Sequence, residues 1–139
     1  LVCAGNVTFI DDYAHHPEEI NAVINAAREL FPRKKLTGVF QPHLYSRTQD
    51  LAAGFAAALD KLDEAILLPL YPAREEPIPG VSSTTIQELM YAHNVSILSK
   101  EALLQRVAKG KLEVLLTIGA GDIDRLVAPI AAILEKENL

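Results

Sequence analysis

Two hydrophobic periods alternate along the chain, and this alternation limits the folds open to it. Short apolar runs at residues 7–10, 36–40, 65–68, 95–98 and 113–118 are too short for helices and rich in branched or aromatic side chains, so they predict strands. Between them, apolar residues recur at helical spacing. Ile20, Val23, Ile24, Ala27, Leu30 and Phe31 predict a helix over 17–30, stopped by Pro32. Leu51, Phe55, Ala58, Leu59 and Leu62 predict a second over 48–61, and further helices are expected over 85–93 and 100–109. A last helix runs to about 138, starting late or kinking at Pro129, which lacks the N–H of an interior position. Each connection is long enough for a crossover. The expected fold is therefore α/β: a three-layer Rossmann-like domain with a mostly parallel sheet of five to six strands and helices on both faces. Residues 1–6 carry no pattern and read as a hinge or linker remnant, leaving 7–139 as the domain.

A parallel sheet brings the loops after residues 10, 40, 68 and 118 to one edge, where open α/β sheets bind ligands. The first loop, Asp11-Asp-Tyr-Ala-His-His-Pro17, is dense in functional side chains. Pro17 suits the first helical position, and Glu18 and Glu19 suit the positive end of the helix dipole. Asp11 reads as a turn or cap residue, whereas Asp12 is placed to accept from ribose hydroxyls. His15 can donate to an anion at the helix start, or join His43 and the aspartates in a metal site. In the second loop, Arg47 precedes a helix with Thr48 as its candidate cap, and a guanidinium there can grip a carboxylate or phosphate in bidentate fashion. The third loop, residues 69–80, holds four prolines and is stiff. Gly119-Ala-Gly121 reads as a tight turn or a piece of a dinucleotide fingerprint lacking its third glycine.

Composition removes several classes. The net charge of −5 and the absence of a basic stripe argue against nucleic-acid binding. No apolar run reaches the roughly 18 residues of a membrane span, and no signal peptide opens the chain. The single cysteine, Cys3, permits no internal disulfide and fits a reducing compartment. There is no Gly-x-x-x-x-Gly-Lys phosphate loop and no Gly-x-Ser-x-Gly elbow. A first residue other than Met suggests a piece of a longer protein.

Phe9-Ile-Asp-Asp-Tyr-Ala-His-His-Pro-Glu18, Phe40-Gln-Pro-His-Leu-Tyr-Ser-Arg-Thr48, Tyr71-Pro-Ala-Arg-Glu-Glu-Pro-Ile-Pro-Gly80 and Thr117-Ile-Gly-Ala-Gly-Asp122 together resemble the C-terminal domain of the Mur ligase family. The likeness is to the branch that adds L-alanine to UDP-N-acetylmuramate. It implies a bacterial, cytoplasmic, three-domain enzyme of peptidoglycan synthesis, using ATP and Mg2+ and forming an acyl phosphate. Its partners would be UDP-N-acetylmuramate, L-alanine, ATP, and the N-terminal and central domains of the same protein. By position, the resemblance puts Asp12 on the ATP ribose and Tyr13, His15, His43 and Arg47 around L-alanine. Many relatives have arginine where this chain has Leu44, so Arg47 would act alone or be assisted by Arg74. No metal is expected on this chain, and no catalytic group is expected to work within it alone, so the isolated chain should be inactive. Two alternatives remain: a stand-alone nucleotide-binding module, or a metal-dependent hydrolase using Asp11, Asp12, His15 and His43.

Overall fold

The computed structural model describes residues 2–4, 6–92 and 94–136. In chain order they form β1 (Val2–Ala4), β2 (Val7–Asp12), α1 (Pro17–Leu30), β3 (Leu36–Phe40), α2 (Tyr45–Leu59), β4 (Glu64–Leu67), α3 (Ser83–Gln87), β5 (Val95–Ile97), α4 (Lys100–Ala108), β6 (Val114–Ile118), a 3-10 turn (Asp122–Leu126) and α5 (Val127–Lys136). One sheet runs in the order β1-β2-β6-β3-β4-β5. All neighbours are parallel except the β1–β2 pair.

Side chains alternate across the strands and so feed two cores. Leu36, Phe40, Leu67, Leu116 and Ile118 meet Ile20 and Ile24 of α1, Phe55 and Leu59 of α2, and Ile86 of α3. Phe9, Val39, Ile66 and Leu115 meet Leu103 and Val107 of α4, Ile123 of the 3-10 turn, and Ile130 and Leu134 of α5. The expected three layers are present. Burying a side chain as completely as Phe55, 1% exposed, is worth roughly 1.5–3 kcal/mol. The central strands β3, β4 and β6 are buried on both faces, and accordingly read as continuous apolar runs rather than alternating ones.

β6 is the last strand in sequence yet lies between β2 and β3. From β2 and β3 the chain turns to α1 and α2 in one layer, whereas from β6 it turns to the opposite layer. The loops therefore part around the end of β6, which is how a crevice arises at a sheet edge.

Three expectations need correction. Within the stretch read as a hinge or linker remnant, Val2–Ala4 pair with Val7–Phe9 as an antiparallel edge strand; so short a strand leaves no periodic signal. The helix expected over 48–61 begins at Tyr45, and Thr48 is buried within it rather than capping it, its hydroxyl donating to the Leu44 carbonyl at 2.8 Å. The helix expected over 85–93 is confined to Ser83–Gln87 and starts from Ser82, whose side chain accepts from the Thr84 amide; residue 93 lies outside the described residues. The last helix starts late, one of the two outcomes expected at Pro129: a 3-10 turn precedes α5 and leaves Pro129 in its first turn, where a missing N–H would have no intrahelical partner anyway. Residues 137–139, at its expected end, lie outside the described residues.

Candidate functional site

Asp12 ends β2 and is half-buried. Its Oδ1 accepts the Ala14 amide at 2.9 Å, a local turn, and its carbonyl accepts the Gly119 amide at 3.1 Å, which ties this loop to the end of β6. Asp12 borders an apolar hollow of about 340 Å³ lined by Ile10, Ala22, Val23 and Leu30, among others. Asp11 points to the other face of the sheet and accepts the Thr117 hydroxyl at 2.7 Å, so it belongs to the sheet edge. Tyr13 is 70% exposed and meets His15 edge-on, with ring centroids 5.5 Å apart. His15 Nδ1 lies 3.1 Å from the Tyr13 carbonyl, so this nitrogen carries the proton. Glu19 accepts the amides of His15 at 3.2 Å and His16 at 3.0 Å, fastening the loop to the first turn of α1. The His15 amide bond leads in holding the Glu19 carboxyl below its usual range; a small desolvation opposes it and the His16 bond assists.

The loop after β3 supplies the facing group. His43 Nδ1 lies 3.0 Å from an Arg47 guanidinium nitrogen. Arginine only donates, so Nδ1 accepts and the ring carries its proton on Nε2. Burial, then the charges of Arg47 and His15, hold His43 below the ordinary histidine range, with Glu75 opposing. Near neutral pH His43 is therefore a neutral donor. The start of α1 lies against α2, with His16 and Pro17 lining one hollow with Leu51 and Gly54. Leu44, between His43 and the helix, has φ 73° and ψ 136°, a left-handed conformation that costs a leucine on the order of 1–3 kcal/mol. It is held by its amide donating to the Tyr71 carbonyl and by its carbonyl accepting from Thr48.

The proline-rich loop after β4 folds onto this group. The Tyr71 ring stacks on His43 at 5.6 Å and 14°, and the Tyr71 amide donates to the Pro42 carbonyl at 2.8 Å. Glu75 accepts both the amide and the hydroxyl of Ser46 in the first turn of α2. The Ser46 hydroxyl, then its amide, holds the Glu75 carboxyl below its usual range.

Behind these loops lies a polar bracket that sequence reasoning missed. The buried Gln41 donates to Asp122 at 2.7 Å and accepts the Ile123 amide at 3.0 Å, and Lys100 donates to Asp122. Burial would raise the Asp122 carboxyl, but the Lys100 and Gln41 bonds outweigh it and keep it low. Gly121 is explained by this bracket: a Cβ there would lie 2.5 Å from Gln41 Oε1 and 2.9 Å from the Tyr71 ring. The glycine pair thus serves close packing of the β6 loop. The Gln41–Asp122 pairing spans 81 residues and has no local signature.

Asp12 at the end of β2 therefore joins Tyr13 and His15 of the loop that follows, and His43 of the loop after β3 joins Arg47 in the first turn of α2. Arg74 is exposed and makes no hydrogen bond or ion pair among the described residues; its neighbour Glu75 docks instead. Arg47 is half-buried and, among the described residues, has no ion-pair partner. Among the described residues no group of three His, Cys, Asp or Glu side chains is placed to hold a metal ion, which leaves the hydrolase alternative without a ligand set. No helix among them is long and apolar enough to cross a membrane.

The family model for the "Mur ligase, glutamate ligase domain" matches residues 1–121. The UDP-N-acetylmuramate–L-alanine ligase of Parabacteroides distasonis is 56% identical over 131 residues, covering 94% of this chain and 28% of that protein. The crystal structure of the Thermotoga maritima UDP-N-acetylmuramate–alanine ligase is similar at 27% identity and TM-score 0.62, over 95% of this chain and 27% of that one. A murein peptide ligase from Psychrobacter arcticus shares the fold at TM-score 0.76 and 14% identity, over 97% of this chain and 29% of that one. This chain spans just over a quarter of the length of those proteins, and over most of its own length it belongs to the Mur ligase family.

Proposed function

We propose that this chain is the closing domain of a larger ATP-dependent ligase that joins L-alanine to UDP-N-acetylmuramate in peptidoglycan synthesis. The observation that carries this reading is Arg47, a half-buried guanidinium with no ion-pair partner among the described residues, braced by a neutral histidine. A cation so placed calls for an anionic ligand, and a bidentate carboxylate fits its fork. The similarity to curated L-alanine ligases supports the choice of amino acid.

In the proposed reaction, the γ-phosphoryl group of ATP passes to the lactyl carboxylate, leaving ADP. The alanine amine then attacks the acyl phosphate, forming the amide and releasing inorganic phosphate and a proton. A carboxylate is a poor acyl donor until phosphorylation supplies a leaving group. Arg47 holds the alanine carboxylate and so aims the amine, while His43 offers its Nε2–H to the same substrate. His15 and Tyr13 line the approach from the neighbouring loop. The residues present fit a nucleoside at Asp12: Oδ2 takes no hydrogen bond among the described residues, and an apolar hollow lies alongside. Its carboxylate accepts from ribose hydroxyls. The phosphate grip and Mg2+ ligation belong to the central domain, and the sugar nucleotide to the N-terminal domain, of the same cytoplasmic protein.

The test is phosphate release by the complete protein. Release should require ATP, UDP-N-acetylmuramate and L-alanine together; release that does not depend on L-alanine would overturn the assignment. The isolated chain should show no turnover in the same assay, and turnover by it would refute the division of labour between domains.

A further inference from the structure

We propose that Glu75 and Tyr71, in the proline-rich loop, are positioning residues that set the Arg47–His43 pair for its carboxylate ligand; this rests on the reading of Arg47 given above. The first turn of α2 carries Arg47 but cannot cap itself. Its N-cap residue is Leu44, which has no polar side chain and sits at φ 73°. Ser, Thr, Asp or Asn normally fills that role. Here the cap comes from 29 residues away, as the Glu75 carboxylate takes the Ser46 amide at 3.1 Å and the Ser46 hydroxyl. Ser46 directly precedes Arg47, so this contact fixes the backbone from which the guanidinium projects.

Tyr71 holds the other member of the pair. Its ring lies nearly parallel to His43, and its backbone exchanges bonds with this loop through Leu44 and Pro42, each at 2.8 Å. Those bonds pin the strained residue between His43 and the helix. The prolines at 69, 72, 77 and 79 limit the ways the loop can relax. Glu75 lies near enough for the Arg47 charge to act on it, yet its oxygens are engaged by Ser46. The carboxylate thus orders the turn while leaving the guanidinium fork for substrate. The α1 loop uses the same device locally: there Glu19 takes the His15 and His16 amides.

Because a misplacement of about an ångström can cost up to about a hundredfold, removing the anchor should be read in the amino-acid step. In the complete ligase, Glu75→Ala should raise KM for L-alanine about tenfold and leave KM for ATP within about twofold. Glu75→Gln keeps an oxygen for the Ser46 amide and should restore most of the loss. Tyr71→Leu retains the backbone bonds but removes the ring, and should raise KM for L-alanine by about threefold; this variant decides the matter if Glu75→Ala does not fold. Arg47→Ala is measured in parallel. If it raises KM for L-alanine while Glu75→Ala and Tyr71→Leu do not, or if those two raise both KM values equally, the positioning role is overturned. If Arg47→Ala itself leaves KM for L-alanine unchanged, the reading of Arg47 falls.

Discussion

At the scale of single residues, the strongest constraints come from side chains that meet across long sequence separations. Gly121 is one. An added Cβ would press on both Gln41 Oε1 and the Tyr71 ring, neither of which is free to withdraw. Gly121→Ala should therefore cost about 1–3 kcal/mol, seen as a lowered denaturation midpoint; an unchanged midpoint would show that the bracket yields. Glu64 is another. It is buried at the start of β4, where Arg106 bonds both its oxygens at 2.7 and 3.0 Å and Lys35 approaches to 3.1 Å. The Arg106 bonds lead in holding its carboxyl below the ordinary value of 4.5; burial opposes them and Lys35 adds to them. A depressed folded-state pKa contributes stability that is complete above the unfolded value and is lost as pH falls through the folded one. Glu64→Gln should thus lower Tm at pH 7 and approach the parent chain as pH drops from about 5 toward 3; a gap that stays constant would contradict this. What was legible at this scale was placement carried by residue type: Asp12 and His15 after β2, and His43 and Arg47 after β3, lie at the strand ends where the sequence puts them. Glu75 and Gln41 were not legible, because their roles are set by partners 29 and 81 residues away.

At the scale of elements, period and punctuation were enough wherever the signal was local. The α1 boundaries follow from Pro17 at its start and Pro32 beyond its end, and the five parallel strands coincide with the five apolar runs. The α4 helix starts at Lys100, as expected, and the Ser99 hydroxyl before it accepts the Ala102 amide at 3.1 Å. Arg106 secures the other end by donating to the Gly110 carbonyl at 2.8 Å and to Glu64. Ser99→Ala should cost about 1 kcal/mol in chemical denaturation, with Ser99→Asp recovering most of it; equal stability of all three would show that the cap is replaceable by water. The start of α2 was misplaced by three residues because Thr48 looked like a cap while the true cap is borrowed from another loop. A left-handed leucine such as Leu44 carries no sequence signal at all.

At the scale of the molecule, strand order was beyond local reasoning. Nothing in residues 113–118 says that they insert between β2 and β3, yet that insertion brings the Asp12 loop and the Arg47 loop to either side of the β6 end. The layer architecture and the loop-bearing sheet edge were readable from alternation; which loops flank the end of β6 was not. On the proposed reading the domain presents one wall of a site, with Asp12 toward the nucleoside and Arg47 toward the amino-acid carboxylate; the Parabacteroides distasonis relative is more than three times as long as this chain. Steady-state kinetics of the complete ligase with Asp12→Asn and Arg47→Ala test that account most directly. Asp12→Asn should raise KM for ATP about tenfold and leave KM for L-alanine unchanged. Arg47→Ala should do the reverse, raising KM for L-alanine roughly 10- to 100-fold. Exchange of the two effects, or an equal rise of both KM values in either variant, would contradict the assignment of one loop to nucleotide and the other to amino acid.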